Sequence, residues 1–256
     1  MTRGLQRATF NRSALVRLLS EVAPETSDPK YDFGERLGQW LDFSDALTLS
    51  SVLTSSTGAL PAAQQTPATA GMAEQLARLR QSLSDAILND GVFTAEPARV
   101  RFPTPLPQAT ADSAADFSPY HRYYLAHQRD MGAAIAALRS NARKALAALS
   151  PAHKQLAQLD IAFENILTAR ERNLLASIPL LLAKRFAQRY QDHRDTLAAD
   201  AGDDPADWTQ PGSWLEAFCQ DTQAVLLAEL ELRLKPVAGL IAALGAASDN
   251  TPSVTQ

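Results

Sequence analysis

The histidines, the carboxylates and the cysteine are the residues most able to do chemistry, and their spacing matches no catalytic pattern. His121 and His127 are six residues apart, about 600° around a helix, so they face different sides of it. Glu164 and Glu171 lack the histidine three residues later that di-iron bundles require. The sequence has no nucleophile elbow, Gly-rich phosphate loop or zinc-protease motif. It therefore predicts a protein that is not an enzyme and uses no cofactor and no metal.

Cys219 is the only cysteine of the 256-residue chain, so an internal disulfide and a cysteine-based zinc cluster are both excluded. It follows Trp214 and Leu215 on a predicted apolar stripe. Because a buried free cysteine behaves as a small hydrophobic residue, we predict a packed thiol.

Residues 118–130, SPYHRYYLAHQRD, combine aromatic and basic side chains. Tyrosine and arginine are enriched at binding hot spots, so this stretch is a candidate surface for a protein partner. In the competing interpretation, Tyr120 and Tyr124 pack in the core and the arginines are solvated. The candidate partner-binding residues here are Tyr120, His121, Arg122, Tyr123 and Arg129. We call residues 120–129 the Tyr-His-Arg cluster.

The N-terminal segment contributes a second group of candidate partner-binding residues. An apolar stripe predicts a helix over residues 13–22, and a second helix is expected from about Asp32. The second helix is apolar over more than one face, which predicts that it is buried between neighbours. The candidates are Leu15, Leu18, Leu19, Trp40 and Phe43. Arg170 is added because a polar residue at a helix seam can fix partner choice.

Two basic stretches on the predicted long helices allow two interpretations. They consist of Arg139, Arg143 and Lys144, and of Lys184, Arg185, Arg189 and Arg194. Helices that bind membrane surfaces carry such charges, and so do the solvated faces of helical bundles, which are more common.

The composition favours a helical, mildly acidic protein. Ala and Leu together make up roughly a third of the chain, and both are strong helix formers. A net charge of −4 gives no basic footprint for nucleic acid. No apolar run approaches the ~20 residues that span a bilayer, and no signal-peptide pattern is present. We therefore expect no nucleic-acid partner, no transmembrane segment, and a location in the cytoplasm or peripheral to the inner membrane.

Breaks in periodicity divide the chain into segments. The predicted order is an N-terminal helical segment (1–56), a flexible linker (57–70), a short helix (71–92), a Pro-rich linker (93–117), a long-helix bundle (118–247) and a disordered tail (248–256). Within the Pro-rich linker, residues 101–107 resemble a polyproline II ligand, although linkers of this composition are commonplace.

The C-terminal half predicts long helices over residues 119–149, 151–198 and 213–246, with caps at Ser150 and Ser213. Apolar residues recur at heptad spacing in the first helix, with Gln128 as the one polar member of the seam. Pro179 and Pro236 should kink or break their helices. The predicted fold is all-α: an elongated antiparallel bundle or coiled coil of three long helices, with shorter N-terminal helices.

Four stretches resemble an uncharacterised proteobacterial family. They are FNRSALVRLLSEV at 10–22, FGERLGQWLDFSDALTL at 33–49, SPYHRYYLAHQRDM at 118–131 and LTARERNLLASIPLLLAKRF at 167–186; the family is domain of unknown function 3348. Its motifs name no chemistry. Members resemble parts of a gene neighbourhood that also encodes a MotA/ExbB-type membrane protein and an OmpA-like protein. The resemblance thus implies a cytoplasmic accessory of a cell-envelope assembly.

Taken together, these features predict a non-enzymatic helical protein that binds one or more protein partners, as an adaptor to an inner-membrane complex or as a homo-oligomer. One alternative is a bundle that binds a small ligand, or acts as an enzyme, through the Tyr-His-Arg cluster and a carboxylate such as Asp130. Another is direct binding to acidic membranes or nucleic acid through the basic stretches.

Overall fold

A computed structural model describes residues 14–22, 40–54, 68–106, 108–197 and 202–249, and within these ranges all regular structure is helical. The all-α prediction is confirmed. The helices are α1 (Ala14–Val22), α2 (Phe43–Thr54), α3 (Ala68–Leu88), α4 (Ala111–Ala114), α5 (Ser118–Ala147), α6 (Pro151–Leu175), α7 (Ile178–Thr196), a 3-10 helix (Pro205–Thr209) and α8 (Trp214–Asp249). The predicted helix start at Asp32 and nearly all of the first linker and of the tail lie outside the described residues.

Helix α8 lies at the centre of the fold and packs against α1, α3, α5 and α7. Its predicted apolar stripe is buried along its whole length and consists of Leu226, Leu230, Leu234, Val237, Ile241 and Leu244. The heptad seam of α5 faces the same core, with Tyr124, Met131, Ile135, Leu138 and Ala142 buried. These two helices form the centre of what we call the bundle: α1, α3, α5, α7 and α8.

The predicted helix over 151–198 is two helices, which is a correction. Helix α6 ends at Leu175 and α7 begins at Ile178, so that Pro179 is the second residue of a new helix. Proline is tolerated in the first turn because the N–H that it lacks would have no partner there. No single helix of about 70 Å therefore exists in this region.

Pro236 has the opposite outcome, since α8 continues through it. The sequence predicted a kink or a break at Pro236, and the break does not occur. Proline removes one backbone hydrogen bond and strains the preceding turn. Leu234 and Val237, on either side of it, are buried in the core, and their packing opposes a break.

The Pro-rich stretch after α3 packs on the bundle and does not serve as a free linker. Asp90 is buried, and its Oδ1 accepts hydrogen bonds from the N–H groups of Val92 and Phe93 at 2.7 and 2.6 Å. Gly91 makes this turn with a positive φ of 71°, and a Cβ there would lie 2.9 Å from the Cβ of Ala98. Phe102 is 1% exposed and donates its N–H to the Asp90 carbonyl.

The helix caps follow the sequence signals. Ser150 accepts the N–H of His153 at the start of α6, and Ser213 accepts the N–H of Glu216 at the start of α8.

No helix in the described ranges is long and apolar enough to cross a membrane.

Candidate partner-binding surface

Helix α2 lies against α6 and runs antiparallel to it. The Nε2 of Gln155, near the start of α6, donates to the carbonyls of Leu53 and Val52 at 2.8 and 3.1 Å. The Nη2 of Arg170, near the other end of α6, donates to the Trp40 carbonyl at 2.6 Å. Since one contact is at each end of α2, the two helices form a pair along most of the length of α2. We call α2 and α6 the arm.

The first turn of α2 is closed by a capping box. Asp42 accepts the N–H of Asp45 at 2.8 Å, and Asp45 in turn accepts the N–H of Asp42 at 3.2 Å. The side of α2 that faces α6 carries Leu49 and Val52, which are both half-buried. Asp45 is the only charged residue of the helix.

The opposite side of α2 is apolar and is not covered by any other helix of the described residues. Phe43 is 79% exposed, Leu47 is 55% exposed and Leu53 is 59% exposed. At 100° per residue these three side chains lie within about 120° of each other around the helix axis. Between them lie Ala46 and Ser50, so this side bears no charge. We call it the outer face of α2.

One hydroxyl group on the outer face, that of Thr54, bonds to the helix itself, and so does the hydroxyl of Thr48 elsewhere on α2. The Oγ1 of Thr54 donates to the Ser50 carbonyl at 2.8 Å, and the Oγ1 of Thr48 donates to the Ser44 carbonyl at 3.0 Å. The prediction that this helix is buried between neighbours is wrong for residues 43–54, of which none is buried. Its inner side, where Asp45 lies between Leu49 and Val52, has a neighbour in α6, and its apolar outer face has none among the described residues.

The N-terminal candidate residues separate into two environments. Leu15 is 4% exposed in α1, while Leu18 and Leu19 pack against the core. Because α1 packs on α7 and α8, the buried Leu15 stabilises the bundle and is not offered to a partner, which corrects its assignment, while Leu18 and Leu19 are half-buried. Trp40 is half-buried, and Phe43 is the most exposed large apolar side chain among the described residues.

The Tyr-His-Arg cluster is also divided, with its tyrosines in the core. Tyr120 and Tyr123 are 4% and 3% exposed, which excludes them as surface contacts and corrects that assignment. Their rings pack against Phe102 at centroid distances of 5.3 and 5.2 Å. The exposed members are His121, Arg122 and Arg129. The interpretation of a packed core with solvated arginines describes this region.

His127 and Tyr123 are buried next to each other in a T-shaped contact at 4.6 Å between ring centroids. Burial lowers the pKa of His127 to about 4, an effect that the nearby Asp130 partly opposes. The Nε2 of His127 and the phenolic oxygen of Tyr123 have no hydrogen-bond partner in the part of the chain that the structure describes. A small open hollow of about 100 Å³ lies elsewhere, between the turn at Asp90 and the start of α8, and none of its lining residues belongs to the cluster.

A buried polar network joins α5 to α8 and was not foreseen from the sequence. Glu229 is fully buried and accepts hydrogen bonds from the Tyr124 hydroxyl at 2.6 Å, from Gln128 Nε2 at 3.0 Å and from Arg233 Nε at 2.7 Å. Burial and the Glu229 carboxylate raise the pKa of Tyr124 well above its usual value. The polar seam position at Gln128 was the one signal for it in the sequence. All of its members are paired, so the network holds helices together and leaves no group available for chemistry.

The basic stretches form ion pairs between helices. Arg139 and Arg143 of α5 each contact Asp160 and Glu164 of α6, at distances between 2.5 and 3.1 Å. In the second stretch, Arg185 and Arg189 of α7 contact Asp221 of α8 at 2.7 and 2.9 Å. These arginines therefore attach one helix to the next.

Comparison with known protein families gives one match. The family model described as "Protein of unknown function (DUF3348)" matches residues 1–246. The chain belongs to this family. No curated protein and no solved structure matches the chain.

The described residues offer no centre for chemistry that the sequence had overlooked. Among them, no group of three or more His, Cys, Asp or Glu residues is placed to hold a metal ion. Cys219 is 1% exposed, and burial raises the pKa of its thiol, so the prediction of a packed thiol is confirmed. The outer face of α2 is the surface most suited to binding another macromolecule.

Proposed function

We propose that this protein is a non-enzymatic helical adaptor that binds a protein partner through the arm. The proposal is supported above all by the outer face of α2, where Phe43, Leu47 and Leu53 are all more than half exposed. Apolar side chains scattered singly over a surface need no explanation, but a continuous, uncharged helix face does. The inner side of α2 already packs on α6, so an apolar outer face is typical of a helix with a second neighbour there.

The chemistry of the outer face favours a protein partner over a membrane or a nucleic acid. Binding to acidic lipids or to phosphates depends on unpaired basic side chains. On α2 the only charge is that of Asp45, and four arginines of the basic stretches are engaged in ion pairs within the fold. An uncharged apolar helix suits helix-in-groove recognition by another protein.

Two finer points of the proposal come from the family resemblance. We propose that the partner belongs to an inner-membrane complex, and that the protein works in the cytoplasm or at the inner surface of that membrane. The bundle would then act as the rigid body that carries the arm.

The first test is site-specific cross-linking in the native host. A photo-reactive phenylalanine analogue is placed at position 47 on the outer face, and at position 106 as a matched control, because Leu106 is 76% exposed and far from α2 in sequence. We expect a discrete cross-linked partner from position 47 that is absent from position 106.

The double variant Phe43→Ser with Leu47→Ser should abolish that capture, while Leu106→Ser should leave it intact. Circular dichroism of both variants checks that the helices are retained. Equal capture from positions 47 and 106, or capture that survives the double variant, would remove the outer face of α2 as the binding surface.

A further inference from the structure

Residues 99–102, in the irregular stretch after α3, cross the side of α5 that carries the buried His127. Tyr123, His127 and Asp130 are spaced by four and three residues, so they form a row along one side of α5. At one end of this row, the ring of Phe102 packs against the ring of Tyr123 at 5.2 Å between centroids. At the other end, the Nη2 of Arg99 lies 3.3 Å from the Oδ2 of Asp130. We call residues 92–105 the cover segment.

The lengths of the two chains agree with this crossing. From Tyr123 to Asp130 the distance along the axis of α5 is about 10 Å, at 1.5 Å per residue. An extended chain from Arg99 to Phe102 also reaches about 10 Å. Since both ends of the crossing are fixed by contacts, the cover segment separates His127 from solvent.

The surroundings of His127 suit a neutral ring and not a charged one. The residue is 3% exposed, and no described group forms a hydrogen bond with its Nε2. Both ring nitrogens carry a proton in the imidazolium, so protonation would create a buried, charged N–H without an acceptor. Burial accordingly lowers the pKa of His127 to about 4; Asp130 opposes this effect and Arg99 adds to it. Protonation is therefore favoured only where the ring can reach water.

The other titratable groups of this region differ from His127 in their response to mild acid. The charges that act on His127 are those of Asp130 on its own helix and Arg99 on the cover segment. Tyr123 lies close to Cys219 of α8 and to Asp90 of the turn after α3. Burial raises the pKa of Tyr123 and that of Cys219, so both groups stay neutral between pH 5 and 7.5. Neither of them contributes a change of charge in that range.

The cover segment is easier to move than the helix beneath it. Helix α5 runs over 30 residues with its own backbone hydrogen bonds, whereas residues 92–105 form no helix. The ion pair that joins the segment to α5 is exposed on one side, because the Arg99 side chain is 70% exposed. When this pair breaks, Asp130 becomes available to His127, three residues away, which is a spacing at which helical side chains interact.

From the crossing, the unpartnered Nε2 and the shared carboxylate, we propose that His127 and Asp130 form a pH-sensitive switch that releases the cover segment in mild acid. In the closed form, Asp130 pairs with Arg99, and His127 is neutral beneath residues 99–102. In the open form, the segment has left α5, His127 has taken up a proton, and Asp130 pairs with the imidazolium. Opening exposes the apolar rings of Phe102 and Tyr123. This inference goes beyond the proposed function, since it does not involve α2.

The amide of Phe102 reports on the switch, because its hydrogen bond to the Asp90 carbonyl at 2.8 Å breaks when residues 99–102 leave α5. Hydrogen exchange of the full chain, followed by NMR and divided by the rate of an unstructured peptide at the same pH, gives its protection. The pKa of His127 is about 4 when closed and 6.5 when solvated, so protection should fall about 25-fold from pH 7.5 to 5.

A second amide separates local opening from unfolding of the bundle. Ile135 is buried in α5, and its amide exchanges only when the bundle itself opens. We expect Phe102 to be less protected than Ile135 at both pH values. Protection of Phe102 that does not change with pH, or that equals the protection of Ile135, would overturn the switch.

Substitution of the histidine tests whether it is the group that titrates. His127→Gln should remove most of the fall in Phe102 protection between pH 7.5 and 5. His127→Phe, which keeps a ring and needs no hydrogen-bond partner, is the second variant and should do the same. The exposed His121→Gln is the matched control and should keep the fall, and circular dichroism checks that all three variants are helical. A fall that persists in both His127 variants would overturn the switch.

Substitution of Arg99 tests the exchange of partners at Asp130. Arg99→Gln should lower the protection of Phe102 at pH 7.5 about twofold, as expected for the loss of an exposed ion pair. Arg101→Gln removes the same charge from an exposed position of the same segment and should leave the protection unchanged. Equal effects of the two substitutions would overturn the partner exchange on which the switch depends.

Discussion

Helices α8 and α2 have similar apolar character and opposite environments. Helix α8 contacts five other α-helices, and its apolar stripe is buried from Leu226 to Leu244. On α2, apolar residues occupy two sides, but no residue is buried and Phe43 is 79% exposed. The difference comes from the number of neighbours and not from the hydrophobicity of the helix. An apolar helix at the edge of a fold, with a neighbour on one side only, is therefore a candidate for a binding element.

The largest contrast should come from matched leucine truncations. Leu230 is fully buried, so Leu230→Ala should lower the free energy of unfolding by about 2–5 kcal/mol through lost burial and the cavity left behind. Leu47 is 55% exposed, so Leu47→Ala should change it by less than about 0.5 kcal/mol. Urea denaturation followed by circular dichroism measures both. Similar losses in the two variants would show that α2 is part of the cooperative core.

The same contrast explains how far the sequence could be read. The stripe of α8 and the seam of α5 were predictable because burial on one side imposes a regular spacing. For α2 the pattern gave the apolar sides but not the number of neighbours, which is a property of the whole fold. Phe43 and Leu15 both looked like partner-binding residues for this reason, and only the structure separates them.

Interactions between distant residues were beyond the sequence for another reason. The partners of Glu229 on α5 are Tyr124 and Gln128, more than 100 residues away, and no local signal couples such positions. The division of residues 151–198 was closer to prediction. Pro179 indicated a break, but proline suits the first turn of a helix as well as its end, so the position of the break could not be fixed.

An intermediate effect on the free energy of unfolding should come from pH, through the buried His127 of the bundle. The pKa of His127 is about 4 in the folded protein and about 6.5 when unfolded, so between these values the unfolded chain binds the extra proton. Stability is complete above pH 6.5 and falls as the pH drops towards 4. The loss at pH 5 should be about 2 kcal/mol relative to pH 7.5.

Substitution of the histidine sharpens this prediction. His127→Gln should remove most of the pH dependence of stability between pH 7.5 and 5. His121 is exposed on the same helix, and His121→Gln should keep that dependence. Urea midpoints at the two pH values give the comparison. An unchanged pH dependence in His127→Gln would assign the effect to other groups.

The smallest effect should come from two arginine contacts of α6, one with α5 and one with the segment that begins α2. Arg139 binds both carboxylate oxygens of Asp160 at 2.6 and 2.8 Å on the bundle side of α6, and its side chain is 15% exposed. Arg139→Ala should lower the free energy of unfolding by about 1 kcal/mol, since two-point charged hydrogen bonds are lost at a partly buried site. Arg170→Ala removes one exposed hydrogen bond, to the Trp40 carbonyl, and should cost only a few tenths of a kcal/mol because water can replace that contact. Urea denaturation of the two variants at one salt concentration measures both losses in the free energy of unfolding. Equal losses would mean that the attachment of α2 contributes as much to global stability as the attachment of α6 does. The distinction between bundle and arm would then fail.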